Sequence, residues 1–344
     1  MLRRTLGLAA AAALSAATLS ACSTGPTDAD PSGSGSSASS AADSSAFPVT
    51  IDNATFGSVT IDKQPTRIAT LGEQDADNLL SLGIVPAGTT TISWGADAKG
   101  SSPWAEKALD ALGGAAPTEY SDADGVPVED IAKLAPDLIL ATNYSLTKQQ
   151  YAQLSKIAPV VAYPGDPWET SWQDSLELVG RATGLEDKAQ QVEQQTEDAI
   201  DAAKKANPQI AGKSFIWGAL STTDLSTISF YSPEDARPSF LTQLGMVNAP
   251  IVTKLSKKGK FYATISAERA SDMKSDVFLS YAVKASDAKT YADDKLIGQI
   301  PAIKAGHLAT FLADPTALSA GVTDPLSIPY AISHFVPKIV DALG

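Results

Sequence analysis

The chain has 344 residues, a formal net charge of −13, one cysteine and two histidines. The acidic balance argues against nucleic acid as a partner and against a basic face for anionic lipid, although Lys254, Lys257, Lys258 and Lys260 form a local basic patch. A single thiol excludes an internal disulfide, and His307 and His334, both late and on predicted structural segments, are a poor start for a bare Zn or Mn site.

Residues 1–21 read as a secretory signal: Arg3 and Arg4 precede an apolar run over 6–19 that is too short to cross a bilayer. The run ends in Leu19-Ser20-Ala21-Cys22, which resembles a bacterial lipobox, where the cysteine is lipidated and becomes the new N-terminus. A free thiol of no consequence is the alternative. Residues 22–46, rich in Ser, Gly, Ala, Asp and Pro, cannot bury a core and read as a disordered tether. The remainder, roughly 300 residues, is enough for two domains with cores of their own.

Residues 47–185 form the expected N-terminal lobe. Alternation over 49–52 and 57–61 predicts a hairpin. Strands are expected at 67–71, 84–88, 138–141 and 160–163, with helices at 75–82, 129–135 and 151–157. A long loop holds Trp94 and Trp104; Tyr144 leaves the carboxyl end of the third strand, and Trp168 follows the last. Two helices end to end then occupy 171–206. In the second, 186–206, Ala189, Val192, Thr196, Ala199, Ala203 and Ala206 recur at steps of three and four on one face, with acids early and lysines late. At about 1.5 Å per residue it spans roughly 30 Å, the width of a small domain. Residues 207–344 form a C-terminal lobe, with strands at 214–217, 277–280 and 307–311 and helices at 239–244 and 327–343. Its loops hold Phe230, Tyr231, Arg237 and Tyr262.

The two lobes tell similar stories. Leu79-Leu80-Ser81-Leu82-Gly83 has its counterpart in Leu241-Thr242-Gln243-Leu244-Gly245, and the interval from Glu129 to Asp137 equals that from Glu268 to Asp276. Either this is a duplicated unit or a chance likeness between α/β segments. Alternating strands and helices indicate an α/β fold of two similar lobes joined by one long helix. No G-x-S-x-G, H-E-x-x-H or P-loop pattern occurs, and nothing supplies an activated nucleophile or a general base, so an enzyme is not expected. Trp94, Trp104, Trp168 and Trp217, four of the five tryptophans, fall at loops or strand ends, where open α/β sheets bind ligands. Structural packing is the alternative for each. Arg237, close after Tyr231, either binds an anionic ligand by charge-assisted bonds or pairs with Glu234 or Asp235.

Several stretches together resemble the bacterial substrate-binding lipoproteins that serve ABC importers of iron–siderophore complexes, haem and cobalamin. They are Arg67-Ile68-Ala69-Thr70-Leu71, Asp77 through Pro86, Val128-Glu129-Asp130-Ile131 through Ala141, Leu154 through Val161, Ile265-Ser266-Ala267-Glu268 and Ile300 through Leu308. The likeness covers about 56–343. It implies two Rossmann-like α/β lobes joined by a single long interdomain helix (the class III periplasmic-binding-protein fold), with the ligand in the cleft between them. It implies a ferric siderophore as ligand, with haem or cobalamin as alternatives, and no cofactor or protein-held metal beyond the iron inside the ligand. It implies docking to an ABC permease through one glutamate on each lobe, here Glu129 and Glu268, which equally suit helix N-terminal electrostatics. Trp94, Trp104, Tyr144, Trp168, Trp217, Tyr231, Arg237 and Tyr262 are the expected ligand-binding residues. A monomer held at the outer face of the cell membrane by lipid on Cys22 completes the picture; a surface interaction lipoprotein without transport is the bland alternative.

Overall fold

The computed structural model describes residues 44–344; the signal segment, Cys22 and the tether up to residue 43 lie outside the described residues. Ser44–Ala46 forms a short 3-10 turn. No helix among the described residues is long and apolar enough to cross a membrane.

The chain opens with an antiparallel hairpin, β1 (Val49–Asp52) and β2 (Ser58–Ile61), whose Ile51 and Ile61 are buried. The first lobe then alternates β3 (Ile68–Thr70), α1 (Glu73–Ser81), β4 (Gly88–Thr90), α2 (Pro103–Leu112), β5 (Thr118–Tyr120), α3 (Val128–Lys133), β6 (Leu138–Ala141), α4 (Lys148–Leu154) and β7 (Val160–Ala162). Its five strands are all parallel in the order β5-β4-β3-β6-β7. The fully apolar runs of β6 and β7 are what a parallel strand covered on both faces requires. Asn53, buried at the hairpin turn, donates to the Val160 carbonyl at 2.8 Å and accepts from Ala162 N at 2.9 Å, pinning the hairpin to edge strand β7.

Next come α5 (Trp172–Thr183) and α6 (Glu186–Ala206), separated at Gly184 in the left-handed region. The second lobe contains β8 (Ser214–Gly218), β9 (Thr227–Tyr231), α7 (Ala236–Gln243), β10 (Val247–Asn248), α8 (Pro250–Leu255), β11 (Tyr262–Ser266), a 3-10 segment at Ala267–Asp272, β12 (Val277–Tyr281), α9 (Asp287–Asp293), α10 (Pro301–Lys304), β13 (Leu308–Phe311), α11 (Pro315–Gly321), α12 (Ser327–His334) and α13 (Val336–Leu343). Its sheet runs β11-β9-β8-β12-β13, with β10 beside the start of β8 and β9 antiparallel to β8 and β11.

The duplication is physical. Asp137, just before β6, accepts backbone N–H groups of Thr66 and Arg67 at 2.9 and 2.7 Å, where β3 begins. Asp276, just before β12, accepts the N–H and hydroxyl of Ser214 at 2.7 and 2.6 Å, where β8 begins. Each carboxylate sets the register of a central strand pair, and the bonds hold both below the usual range. The helix stops match too. Gly83 (φ 78°) and Gly245 (φ 92°) are left-handed, with Ile84 N on Leu79 O at 2.9 Å and Met246 N on Leu241 O at 3.1 Å. Helix α6 touches both stops: Lys188 Nζ donates to the Leu82 carbonyl at 2.8 Å, and the Lys204 stem lies over Gly245.

Several expectations are corrected by packing. The strand expected at 84–88 is β4, two to four residues later, because Gly88 must pass Leu134 and Tyr120: a Cβ there would come within 2.4 Å of the Leu134 side chain. The long loop after it contains α2, capped by Ser102 with Pro103 in its first turn. Tyr231 and Tyr262 are on paired strands β9 and β11, not in loops. The closing helix is two, α12 and α13, parted at Phe335 ahead of Pro337, which has no N–H to donate. The buried face of α6 carries Ala189, Thr196, Ile200 and Ala203; Ala206 is exposed.

Close approach between α5 and α6 depends on Gly180, where a Cβ would lie 2.5 Å from the Ala189 Cβ. Gly180→Val is expected to lower unfolding stability by about 1–3 kcal/mol through overpacking, read from the urea midpoint.

Candidate functional site

The carboxyl ends of the parallel strands, where open α/β sheets place ligands, face one another across the two lobes. Lobe 1 presents Glu73 after β3, Asp122 after β5, Tyr144 after β6 and Trp168 after β7; lobe 2 presents Tyr231, Arg237 and Tyr281. The segment after β4 crosses between them. Trp94 meets Tyr281 edge-on at 4.8 Å, and Gly95 lies so tightly on α11 that a Cβ would come within 2.9 Å of Leu318.

On the lobe 2 side, the Arg237 guanidinium lies over the Tyr231 ring at 3.6 Å and forms two bonds to the Asp235 carboxylate, at 2.6 and 2.5 Å. Asp235 also caps α7 by accepting Arg237 N–H at 3.0 Å, so one buried acid sets both backbone and side chain. Burial works against the arginine's charge, but the Asp235 bonds outweigh it and hold the group firmly cationic. Of the two readings of Arg237, the ion pair is formed, with Asp235 rather than Glu234, and 22% of the side chain remains exposed. Tyr281, against Trp94, Tyr231 and Trp217, has its phenol pushed up by burial and stays a neutral donor.

A second aromatic group stands at the mouth. Tyr144 and Trp168 lie 5.6 Å apart on lobe 1. Trp168 is held at φ 67°, a conformation costly for a bulky residue. It lines a cavity of about 610 Å³ with Phe261, Tyr262, Lys257 and Lys260 of lobe 2. Beneath, the Tyr144 hydroxyl donates to Asp122 at 3.0 Å, and burial followed by the Asp122 charge raises its pKa. The Glu73 carboxyl is raised by burial and, after the lowering effect of its own backbone N–H, by Asp122. The lobe 1 side of the cleft is therefore acidic, while the one cation of the lobe 2 floor is already paired.

Two expected ligand residues lie elsewhere. Trp217 is enclosed, its ring stacked at 5.1 Å on Phe335, because β8 is a central strand with covered faces. Trp104 is buried on α2, its indole N–H donating to Asp77 at 2.6 Å and its ring packed on Tyr330 of lobe 2. Tyr281, Glu73, Asp122 and Phe261 were not anticipated; Tyr281 leaves its strand at the carboxyl end just as Tyr144 does, and that rule would have found it. Glu129 opens α3 and Glu268 opens the 3-10 segment after β11, both exposed. Their neighbouring cations are spent on other acids, Lys133 on Asp130 at 2.7 Å and Arg269 on Asp272 at 2.9 Å, and among the described residues no ion pair takes either glutamate. Asp235→Ala is expected to lower stability by about 3 kcal/mol or somewhat more, the cost of stranding a largely buried guanidinium, measured by urea unfolding.

A family described as periplasmic binding protein matches residues 68–315. A probable siderophore-binding lipoprotein of Bacillus subtilis, YfiY, is 28% identical over 275 residues, covering 75% of this chain and 78% of that one. The ferric enterobactin-binding periplasmic protein FepB of Escherichia coli is 28% identical over 267 residues, 72% of this chain and 79% of its own. The crystal structure of Streptococcus pneumoniae PiaA in complex with ferrichrome superposes with a TM-score of 0.81 at 34% identity, covering 86% of this chain and 98% of that one. With its paired α/β lobes and bridging helix, the chain belongs to the periplasmic binding protein family.

Proposed function

We propose that this chain is the substrate-binding lipoprotein of an ABC importer, capturing a ferric siderophore between its lobes and handing it to the membrane permease. The observation that carries this is the aromatic lining where the lobes meet: Trp94, Tyr281, Tyr231 and Arg237 stand together, and Trp168, next to Tyr144, borders a cavity with Phe261 and Tyr262 of lobe 2. Aromatic rings offer wide, stiff contact to a bulky chelate at low entropic cost. Arg237 keeps an exposed edge for a ligand oxygen. The siderophore-binding character of YfiY and FepB and the ferrichrome bound to PiaA support the reading. Glu73 and Asp122 on the lobe 1 wall and the prior commitment of Arg237 to Asp235 favour a chelate of low net charge, such as a ferric hydroxamate, although Lys257 and Lys260 at the mouth leave room for some negative charge on the ligand. Binding requires no chemistry from the protein, iron arrives inside the ligand, and neither cofactor nor resident metal is part of the proposal.

Glu129 and Glu268 are the proposed permease contacts, free carboxylates on separate lobes that would steer and orient docking. The lipid on Cys22 would hold the protein at the outer face of the membrane.

Titrating tryptophan fluorescence with ferric hydroxamates, ferric catecholates, ferric citrate, haem and cobalamin, and with iron-free siderophores, tests the ligand. Saturable quenching by the ferric hydroxamates, reduced in Trp168→Phe and Trp94→Phe, is expected; a response to haem or cobalamin alone would move the assignment within the family, and no response would refute it. Arg237→Ala is expected to weaken that binding by about 1–3 kcal/mol, as for a hydrogen bond to a charged group. Replacing Glu129 and Glu268 together with Ala is expected to abolish uptake of the labelled ferric complex by cells while leaving its affinity for the protein unchanged; weakened binding would remove the docking role.

A further inference from the structure

At the seam between the lobes, α1 of lobe 1 meets the turn that leads into α12 of lobe 2. Two polar contacts cross it. Gln74 Nε2 donates to the Thr323 carbonyl at 3.0 Å, and the carboxyl groups of Asp77 and Asp324 lie against each other. Both acids are buried, at 4% and 0% exposure. Asp324 Oδ1 accepts the N–H groups of Leu326 and Ser327, each at 2.8 Å, in the turn that opens α12. Its Oδ2 is buried with no hydrogen-bond partner among the described residues, and the carboxyl has the Asp77 carboxyl and the Ser327 hydroxyl beside it. Asp77 Oδ2 in turn accepts the Trp104 indole N–H at 2.6 Å.

Two ionised carboxylates are acceptors only and cannot bond each other. Buried face to face, they join only when one carries a proton. The unequal donor sets decide which. Asp324, with two backbone N–H groups at a helix N-terminus, holds the charge; Asp77, with one indole donor, holds the proton.

We propose that this shared proton is a latch between the lobes: it fastens α1 to the α12 turn, and its loss leaves two carboxylates opposed across a dry seam and loosens the join. Burial raises both acids, Asp324 to about 6 and Asp77 well above the ordinary range, with the Asp324 charge and then Glu73 on α1 adding to the effect on Asp77. The other titratable side chains on the helices packed here lie at exposed or half-exposed positions: Glu106, Lys107 and Asp110 on α2, Asp174, Glu177 and Arg181 on α5, and Tyr330 and His334 on α12; α6 adds its solvated acids and lysines.

The sign follows from linkage. An unfolded aspartate releases its proton near pH 4, so above that the folded protein keeps a proton that the unfolded chain has lost. The stability supplied by the latch is full below that pH and falls as pH rises through the folded values of the pair. Asp75, raised to about 7 by burial against its Thr142 bonds, acts in the same direction within lobe 1 and is unchanged by variants at the seam.

Asp77→Asn keeps an N–H donor toward Asp324 and an acceptor toward Trp104 but has no proton to lose. Urea unfolding of the purified protein between about pH 4 and 9 should show a fall in stability with pH that is shallower in Asp77→Asn, by up to one proton in the linkage slope. Hydrogen exchange, corrected for the intrinsic pH dependence, should show wild type losing protection selectively at 74–78 and 323–327 as pH rises, and the variant keeping it. Equal slopes, or protection lost evenly over both lobes, would overturn the latch. Should the variant fail to fold, carbon-13 titration of aspartate carboxyls in the wild type, with Asp75 assigned through Asp75→Asn, decides the matter: a further aspartate still protonated at neutral pH is expected, and none would overturn it.

Discussion

Helix α6 is the constraint on which the geometry of this protein rests. It is a single 21-residue element whose ends close on equivalent features of the two lobes. Lys188 binds the last carbonyl turn of α1, and Lys204 covers the glycine stop of α7. The Lys188 cation complements the dipole at the C-terminus of α1, while Lys204 meets the second stop through its apolar stem. The hydrophobic core does not stop at the lobe boundary. One buried cluster includes Ile68 and Leu138 of the first sheet, Ala189, Ile200 and Ala203 of α6, and Phe215 and Leu279 of the second sheet. A rigid rod embedded in a shared core restricts how far the lobes can part. The cleft is consequently set before a ligand arrives, which reduces the ordering cost of binding.

Polarity within the cleft is arranged in the same economical way. Asp235 caps α7, pairs with Arg237 and presents that guanidinium flat on Tyr231, so the local fold and the binding surface come from one acid. The rings above and below it belong to different lobes: Trp94 and Tyr281 touch directly, while Trp168 and Tyr262 border the same cavity. A ligand that reaches both groups contacts two separate sheets at once. The left-handed backbone at Trp168 is the local cost of aiming a large ring at the mouth.

Buried acids do structural duty away from the ligand. Asp75 receives the N–H and hydroxyl of Thr142, whose oxygen also meets Ser175, while Asn78 donates to Ser175 at 2.8 Å. This network ties α1, β6 and α5 together directly beneath the lobe 1 face. Asp77 and Asp324 extend the same use of α1 across the seam. Three aspartates within or against one helix thus tie α1 to β6 in its own lobe and set it against the α12 turn of the other.

Much of this was legible in the linear chain because it depends on local rules. Apolar runs such as Leu138-Ile139-Leu140-Ala141 dictate buried parallel strands, Gly83 and Gly245 dictate helix stops, and Glu129 with Glu268 marks equivalent points of a repeat whose aspartates prove to bond equivalent strands. Two lobes joined by one long helix were legible from the repeat and the strand–helix alternation; the family likeness added the cleft between them and the ligand class. Tertiary packing decided the rest. Trp217 lies near the end of β8 and Trp168 follows β7, yet one is sealed beneath Phe335 and the other exposed at the mouth, a difference set by which strand is central and which is at an edge. Arg237 could have served an anion or a neighbour, and only the folded turn brought Asp235 into two-point contact with it. Asp77 and Asp324 are far apart in sequence, and neither carries any local signal of the other. The sequence by itself determined most of the elements, their order and the two exposed glutamates at matching points of the repeat, because periodicity and turn chemistry act over a few residues; which side chains meet across the lobes was decided by tertiary structure, because those meetings depend on how two sheets are set around a shared helix.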